Sequence, residues 1–178
     1  MRLPPSLLPN RHLHSSAGMY SLSEGDSSYT LYFTTRKGII YRIEFIEVDS
    51  LTFPGLPDPD RIVLLDLHPL VEPGERLPAE DQEIGETVFY AVSQVIRQNH
   101  IAVAYSCETT DKRQRVRARK FSQWFTRHND GSLTKYDAEI SAPHNQYCLS
   151  LLFSNEVASQ SIEIDFITFI AGLQEVKE

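Results

Sequence analysis

The 178-residue chain has only two cysteines, Cys107 and Cys148, and they form no CxxC pair. This excludes a disulfide-rich secreted scaffold and a cysteine-based zinc site, and it favours a reducing compartment. No uninterrupted apolar run approaches the roughly eighteen residues that can cross a bilayer. The sequence therefore predicts a cytoplasmic protein without a membrane segment.

Familiar catalytic and nucleotide-binding motifs are also missing, because GxGxxG, Walker A, HExxH and GxSxG do not occur. Asp58, Asp60 and Asp66 lie near one another in the chain without the spacing of metal ligands. His128 and His144 have no carboxylate or thiol at ligand spacing, which makes a weak metal signal. We expect no cofactor and no metal site, and the absences favour binding over catalysis.

The chain begins with a proline-interrupted segment, MRLPPSLLPNRHLHSSAG, that lacks the continuous apolar core of a secretory signal. We expect residues 1–27 to form a disordered leader, with Met19 as an alternative start. Residues 28–178 are long enough to form one domain with its own hydrophobic core.

Hydrophobic periodicity predicts the elements of that domain. A β-hairpin is predicted in YTLYFTTRKGIIYRIEFIEV, where apolar residues alternate around the turn at Gly38. A buried strand follows in RIVLLDLHPL, and another in IAVAYSCE. Two further strands, 133–140 and 147–153, are expected to pair.

Three segments carry helical patterns. The first, 81–98, repeats apolar residues every three or four positions after Asp81, a good N-cap. The second is the basic segment 111–128, and the third has Phe166 at the centre of its apolar face. The order ββ-β-α-β-α-ββ-α predicts a single α+β domain, a mixed β-sheet with about three helices on one face.

The stretch DKRQRVRARKFSQWFTRHND stands out in an acidic chain of net charge −7. Residues 111–128 hold seven Lys or Arg and one Asp, a local charge of +6, so the rest of the chain carries −13. Such asymmetry is a reason to consider an anionic partner, although an acidic body can also neutralise its own basic helix.

A helical wheel divides the basic segment into two faces. Phe121, Trp124 and Phe125 form the core stripe. The outer basic face is Lys112, Arg115, Arg119, Lys120 and Arg127. A solvated surface is the simplest reading of these five residues, and nucleic-acid binding is the alternative. Binding by base stacking is disfavoured, because the spacing of the aromatic residues places them in the core.

Arg113, Gln114 and Arg117 lie inside or beside the apolar stripe. Because burying an unpaired guanidinium costs several kcal/mol, Arg117 needs a carboxylate, carbonyl groups or a bound anion. Glu108 and Asp66 are candidate internal partners. Alternatively, Arg113 and Arg117 line a pocket for a phosphate or carboxylate, with Cys107 or His128 as accessory groups.

The segment CETTDKRQRVRARKFSQWF, with the hairpin upstream, resembles a family of small uncharacterised bacterial proteins, mainly from Bacteroidetes, that form a domain of unknown function. The resemblance covers about residues 29–175 and rests on Asp111, Arg113, Gln114, Arg117, Phe121, Trp124 and Phe125, with Tyr41 and Phe45 in the hairpin. It implies a bacterial origin and supplies no activity.

The function is therefore open among three hypotheses. The leading one is a domain that binds a protein partner or its own copy. The first alternative is nucleic-acid binding through the outer basic face. The second is an enzyme with an anion-binding pocket at Arg113 and Arg117.

Overall fold

The computed structural model describes residues 18–27, 29–47, 62–71, 81–107, 113–141, 146–156, 164 and 166–168. The strands are β1 (Ser23–Glu24), β2 (Thr30–Thr34), β3 (Ile40–Glu47), β4 (Ile62–Leu70), β5 (Ala102–Cys107), β6 (Leu133–Ser141) and β7 (Gln146–Ser154). The helices are α1 (Gln82–Asn99) and α2 (Gln114–His128), and residues 164 and 166–168 are also helical. The predicted α+β class and the order of its elements are confirmed, with β1 as an additional strand.

All seven strands form one sheet in the order β1-β2-β3-β4-β5-β7-β6. Among the described strands, only β4 and β5 pair in parallel, and α1 makes the crossover between them. The other neighbours are antiparallel, so the predicted mixed sheet is confirmed. This order places β6, although it precedes β7 in the chain, at the end of the sheet.

The β2–β3 hairpin forms where alternation predicted it. Leu31 and Phe33 are buried on one face, and Gly38 closes the turn with a φ of +78° that glycine adopts without steric cost. The α1 helix starts at Asp81, whose side chain accepts a hydrogen bond from the backbone N–H of Glu83 at 3.1 Å. Its apolar stripe, including Val88 and Val95, is buried.

The sheet is covered on both faces, contrary to the expectation that the helices share one face. Val63, Val103 and Leu152 face α1 and α2 in the larger core. The alternate residues of the same strands, including Ala102 and Leu151, form a second core with Phe166 of the last helix. Burial on both faces explains why β4, β5 and β7 carry apolar residues at consecutive positions and not only at alternate ones.

Residues 18–27 were predicted to belong to the leader, but this segment contacts the domain through Tyr20. The Tyr20 hydroxyl donates a 2.6 Å hydrogen bond to Asp81, and the Tyr20 N–H donates to the Thr87 hydroxyl at 2.9 Å. Burial, followed by the hydrogen bond to Asp81, raises the pKa of Tyr20 to about 12. The remainder of the predicted leader, 1–17, lies outside the described residues. In the described part of the chain, no helix has the length and apolarity needed to span a membrane.

Candidate functional site

The α2 helix lies on the sheet through its aromatic face, as the helical wheel predicts. Phe121 stacks on Tyr105 of β5 with ring centroids 4.6 Å apart, and it meets Trp124 edge-on at 4.9 Å. Phe125 meets Phe89 of α1 in a T-shaped contact at 6.2 Å. These contacts fix which side of α2 faces the core and which faces solvent.

Arg113, Gln114 and Arg117 lie at the N-terminal end of α2. Gln114 and Arg117 are half-buried, whereas Arg113 is exposed at the N-cap position and its side chain makes no capping hydrogen bond. None of the three is without an interaction partner. Asp66 is not available to Arg117, because it lies on the opposite face of the sheet and accepts a 3.1 Å hydrogen bond from Arg42. The other candidate partner, Glu108, lies outside the described residues.

The outer basic face is partly occupied by intramolecular contacts. Arg115 forms a 3.1 Å ion pair with Glu139 of β6, and the Lys120 ammonium lies 5.3 Å from the centre of the Trp124 ring. Arg119 and Arg127 are exposed, and Lys112 lies outside the described residues. The α2 helix contains no acidic residue, so its solvent side remains strongly positive.

A small cavity lies between α2, α1 and the sheet. Its volume is about 20 Å³, which is room for one water, and its lining is almost wholly apolar, including Val88, Tyr105 and Trp124. Lys135 contributes the only charged side chain to this lining, and the residues Arg113, Gln114 and Arg117 do not contribute to it. This cavity is too small and too apolar to hold an anionic substrate.

The two cysteines, far apart in sequence, face each other across β5 and β7. Cys107 and Cys148 are register partners, both buried and both free thiols. Burial, followed by the proximity of Cys148, raises the pKa of the Cys107 thiol to about 11, and Arg117 offsets this only in part. A thiol that stays protonated at neutral pH is a poor nucleophile, so the position favours a structural role for Cys107.

A buried lysine connects β6 to α2. The Lys135 side chain is 5% exposed, donates a 3.0 Å hydrogen bond to the Ser122 hydroxyl, and forms an ion pair with Asp137. Asp137 also accepts a 2.5 Å hydrogen bond from Ser150 of β7. We call Ser122, Lys135, Asp137 and Ser150 the Lys135 network. With its ammonium held by Asp137 and by the Ser122 hydroxyl, Lys135 joins β6 to the core-facing side of α2.

His128 is half-buried at the end of α2, with its ring 6.1 Å from that of Phe89. Burial lowers its pKa, Arg127 lowers it further, and Glu86 opposes the change. His144 lies outside the described residues. Among the residues described, no group of three or more His, Cys, Asp or Glu is placed to hold a metal ion.

The outer edge of β6 is much longer than the other edge of the described sheet. Within the described part of the chain, β6 pairs only with β7, and it does so in unbroken register from Leu133 opposite Ser154 to Ser141 opposite Gln146. The strand is nine residues long and contains no proline. The opposite edge of the sheet is β1, which is only two residues long.

The sequence predicted the strand at 133–140 and missed both its edge position and its inward-facing lysine. One signal was present, because Lys135, Asp137 and Glu139 alternate with Thr134, Tyr136 and Ala138. This alternation predicts a strand whose charged face is exposed to solvent. The structure instead turns the charged row towards α2, where Lys135 is buried.

Comparison with known proteins gives a match to a family model over part of the chain and gives no activity. Neither a curated protein nor a solved structure matches the chain. The predicted resemblance to an uncharacterised domain is confirmed over the region from α1 to β7. Residues 80–162, which include α2, the Lys135 network and the β6 edge, match a family of unknown function (DUF6169).

Proposed function

We propose that this domain functions by binding another polypeptide, and that the outer edge of β6 is its binding surface. The observation that carries the proposal is the difference between the two edges of the sheet. An open edge presents unpaired N–H and C=O groups, and proteins commonly blunt it with a short strand, a bulge or a proline. The β1 edge is short, whereas β6 offers nine residues without a bulge or a proline.

The side chains of β6 support the same proposal. A lysine that projects into solvent often protects an edge strand from pairing with another chain. The Lys135 side chain is instead buried against α2 and paired with Asp137. On the other face, Thr134, Tyr136 and Ala138 are half-buried and so offer partly accessible contacts to an incoming strand. In strand addition, main-chain hydrogen bonds supply affinity and alternate side chains supply specificity.

The experiment uses the full chain to select extended peptides from a displayed random library, and then measures hydrogen exchange with a selected peptide bound. We expect the backbone amides of residues 133–141 to gain protection. Protection confined to another part of the chain would overturn the proposal, and so would a library that yields no binder.

Two proline variants supply a matched control. Because successive residues of an edge strand direct their N–H groups to opposite sides, only one of Ala138→Pro and Glu139→Pro interrupts the β6–β7 ladder. Thermal unfolding identifies the variant that keeps its stability, and that variant should lose peptide binding. Undiminished binding by the stable variant would contradict binding at the β6 edge.

Nucleic-acid binding through the outer basic face is a second candidate, favoured by the absence of any acid on α2. It predicts that affinity for a labelled oligonucleotide falls steeply with salt, because bound phosphates release counterions. The double variant Arg119→Ala/Arg127→Ala should weaken binding and flatten the salt slope, whereas Gln123→Ala/Thr126→Ala, on the same exposed side, should not. The absence of binding at low salt, to both DNA and RNA, would remove this candidate.

We also infer a bacterial origin and a cytoplasmic location. The resemblance of the basic helix to bacterial proteins supports the first, and the two free buried thiols support the second. Fractionation of the native source, followed by immunoblotting, tests the location. Recovery in the extracellular or periplasmic fraction would contradict it.

A further inference from the structure

We propose that the polypeptide bound at the β6 edge is a second copy of this chain, in an antiparallel β6–β6 pair whose two-fold axis passes beside Tyr136. The inference rests on the proposed function of the β6 edge. It follows from the order of charges along the strand, because only certain registers bring opposite charges together.

A two-fold axis perpendicular to the sheet joins two copies of β6 edge to edge and keeps equivalent faces on the same side. Residues on one face then meet residues on the same face of the second copy, so the axis lies beside a residue rather than between two residues. Near the middle of β6, the choices for the central residue are Tyr136, Asp137 and Ala138. These choices differ in which charges oppose one another.

With Tyr136 at the centre, Lys135 of each copy lies opposite Asp137 of the other. The intramolecular ion pair between Lys135 and Asp137 then becomes part of a ring of four alternating charges. Glu139 lies opposite Leu133 and meets no like charge. Opposite charges at directly facing positions stabilise an antiparallel strand pair.

The two neighbouring registers are less favourable. With Asp137 at the centre, Lys135 meets Glu139, but the two copies of Asp137 face each other. With Ala138 at the centre, Asp137 faces Glu139 twice. Like charges directly opposite one another destabilise a strand pair, so the register centred on Tyr136 is the one without repulsion.

The opposite face of the strand is compatible with this register. Tyr136 stacks on Phe153 of β7, with ring centroids 5.7 Å apart and planes 12° apart. The two-fold axis places the Tyr136 rings of the two copies beside each other, each supported by its own Phe153. Adjacent aromatic side chains are among the more stabilising cross-strand pairs. The sheet becomes continuous through both copies, and the nine-residue edge is covered.

Analytical ultracentrifugation of the full chain measures the dimer and its charge dependence. Because Asp137→Asn removes both facing ion pairs, we expect the dissociation constant to rise about tenfold. Glu139→Gln is the matched control on the same face and should leave the constant within about twofold, because Glu139 faces Leu133. The reverse ranking would overturn the register centred on Tyr136 and favour the one centred on Asp137.

Cysteine cross-linking locates the axis directly. The native cysteines are buried, so the wild-type chain is the background. Under mild oxidation, Tyr136→Cys should form a disulfide-linked dimer, whereas Asp137→Cys and Ala138→Cys should not. If Tyr136→Cys fails to fold, a mixture of Thr134→Cys and Ala138→Cys replaces it, because these positions face each other and should link only when mixed.

The outcomes separate this inference from the proposed function. A chain that stays monomeric at high concentration and does not cross-link, while a selected peptide still protects residues 133–141, overturns the second copy and leaves strand binding in place. A monomer that also binds no peptide overturns both. A dimer that links through Asp137→Cys rather than Tyr136→Cys overturns the register, and with it the charge argument.

Discussion

The indole of Trp124 occupies the space beside Gly85 that a side chain would fill. A Cβ built on Gly85 would lie 2.3 Å from Cδ1 of Trp124 and 2.4 Å from Nε1. Gly85 is buried in α1, and Trp124 belongs to the core-facing side of α2. The absence of a side chain at one helical position therefore sets how closely the two helices approach each other.

Gly85→Ala should destabilise the protein. Alanine is favoured over glycine within a helix by about 1 kcal/mol, but the clash with Trp124 should cost about 1–3 kcal/mol. We expect net destabilisation in urea unfolding, with a change in the midpoint. In the background Trp124→Leu the penalty of Gly85→Ala should shrink or reverse. An equal penalty in both backgrounds would show that the indole is not its cause.

The Cys107 thiol should react slowly in the native protein. A pKa raised from 9.0 to about 11 reduces its thiolate fraction at neutral pH about a hundredfold, and burial limits access further. Iodoacetamide labelling followed by mass spectrometry should show slow native labelling at pH 8 and rapid labelling in guanidinium. Ser106→Cys, at the exposed neighbouring position, is the fast-reacting control. Native Cys107 labelling as fast as that of the control would contradict the burial argument.

The same thiol should make stability depend on alkaline pH. The unfolded chain ionises at a pKa near 9.0 and the folded chain at about 11. The contribution of this thiol to the free energy of unfolding is therefore fully present below pH 9 and is lost as the pH rises towards 11. Cys107→Ala should reduce the slope of the unfolding free energy across this window. An unchanged slope would exclude Cys107 as its source.

His128 should lower the free energy of unfolding when the solution becomes mildly acidic. Because burial lowers its pKa below 6.5, the folded state is favoured above that value and loses stability as the pH falls through the folded pKa. His128→Asn should remove part of the loss in unfolding free energy seen on moving from pH 7.5 to pH 5. Thr126→Asn, at an exposed position of the same helix, is the control and should leave the loss unchanged, because neither Thr nor Asn titrates in this range. Identical pH profiles for wild type and His128→Asn would contradict the prediction.

Removing Asp137, the ion-pair partner of Lys135, should destabilise the protein more than removing Lys135 itself. Asp137→Ala leaves a buried ammonium with the Ser122 hydroxyl, and we expect destabilisation of about 1–3 kcal/mol, limited by the exposure of Asp137. Lys135→Met removes the charge and keeps an apolar stem, so its cost should be smaller. Glu139→Ala breaks the exposed ion pair with Arg115, and the loss of that pair should cost about 0.5 kcal/mol. Unfolding at several protein concentrations separates these effects from dimer formation.

The secondary structure was largely predictable because its signals are local. Alternation around Gly38 indicates a hairpin, and the spacing of Ile84, Val88 and Val92 after Asp81 indicates a capped helix. The aromatic side of α2 followed from the same periodicity, and Phe121, Trp124 and Phe125 lie where it placed them. The placement of the third helix on the opposite face was not predictable, because apolar strands do not reveal which helix covers which side.

The candidate site was less predictable, since it depends on strand order. Nothing in the sequence shows that β7 inserts between β5 and β6, and only this arrangement leaves β6 at the edge. The same insertion brings Cys107 opposite Cys148. The separation of Asp66 from Arg117 has another cause, because alternate residues of β4 point to opposite faces of the sheet and Asp66 lies on the face away from α2.

The sequence by itself determined the α+β class, most of the elements and the division of α2 into an aromatic side and a basic side. These properties follow from the period of the chain, which repeats every two residues in a strand and every 3.6 in a helix. Only the tertiary structure decided that Gly85 admits Trp124, that the Lys135 side chain is buried and that β6 lies at the edge of the described sheet. Each of these depends on residues far apart in sequence, which are brought together by packing rather than by local periodicity.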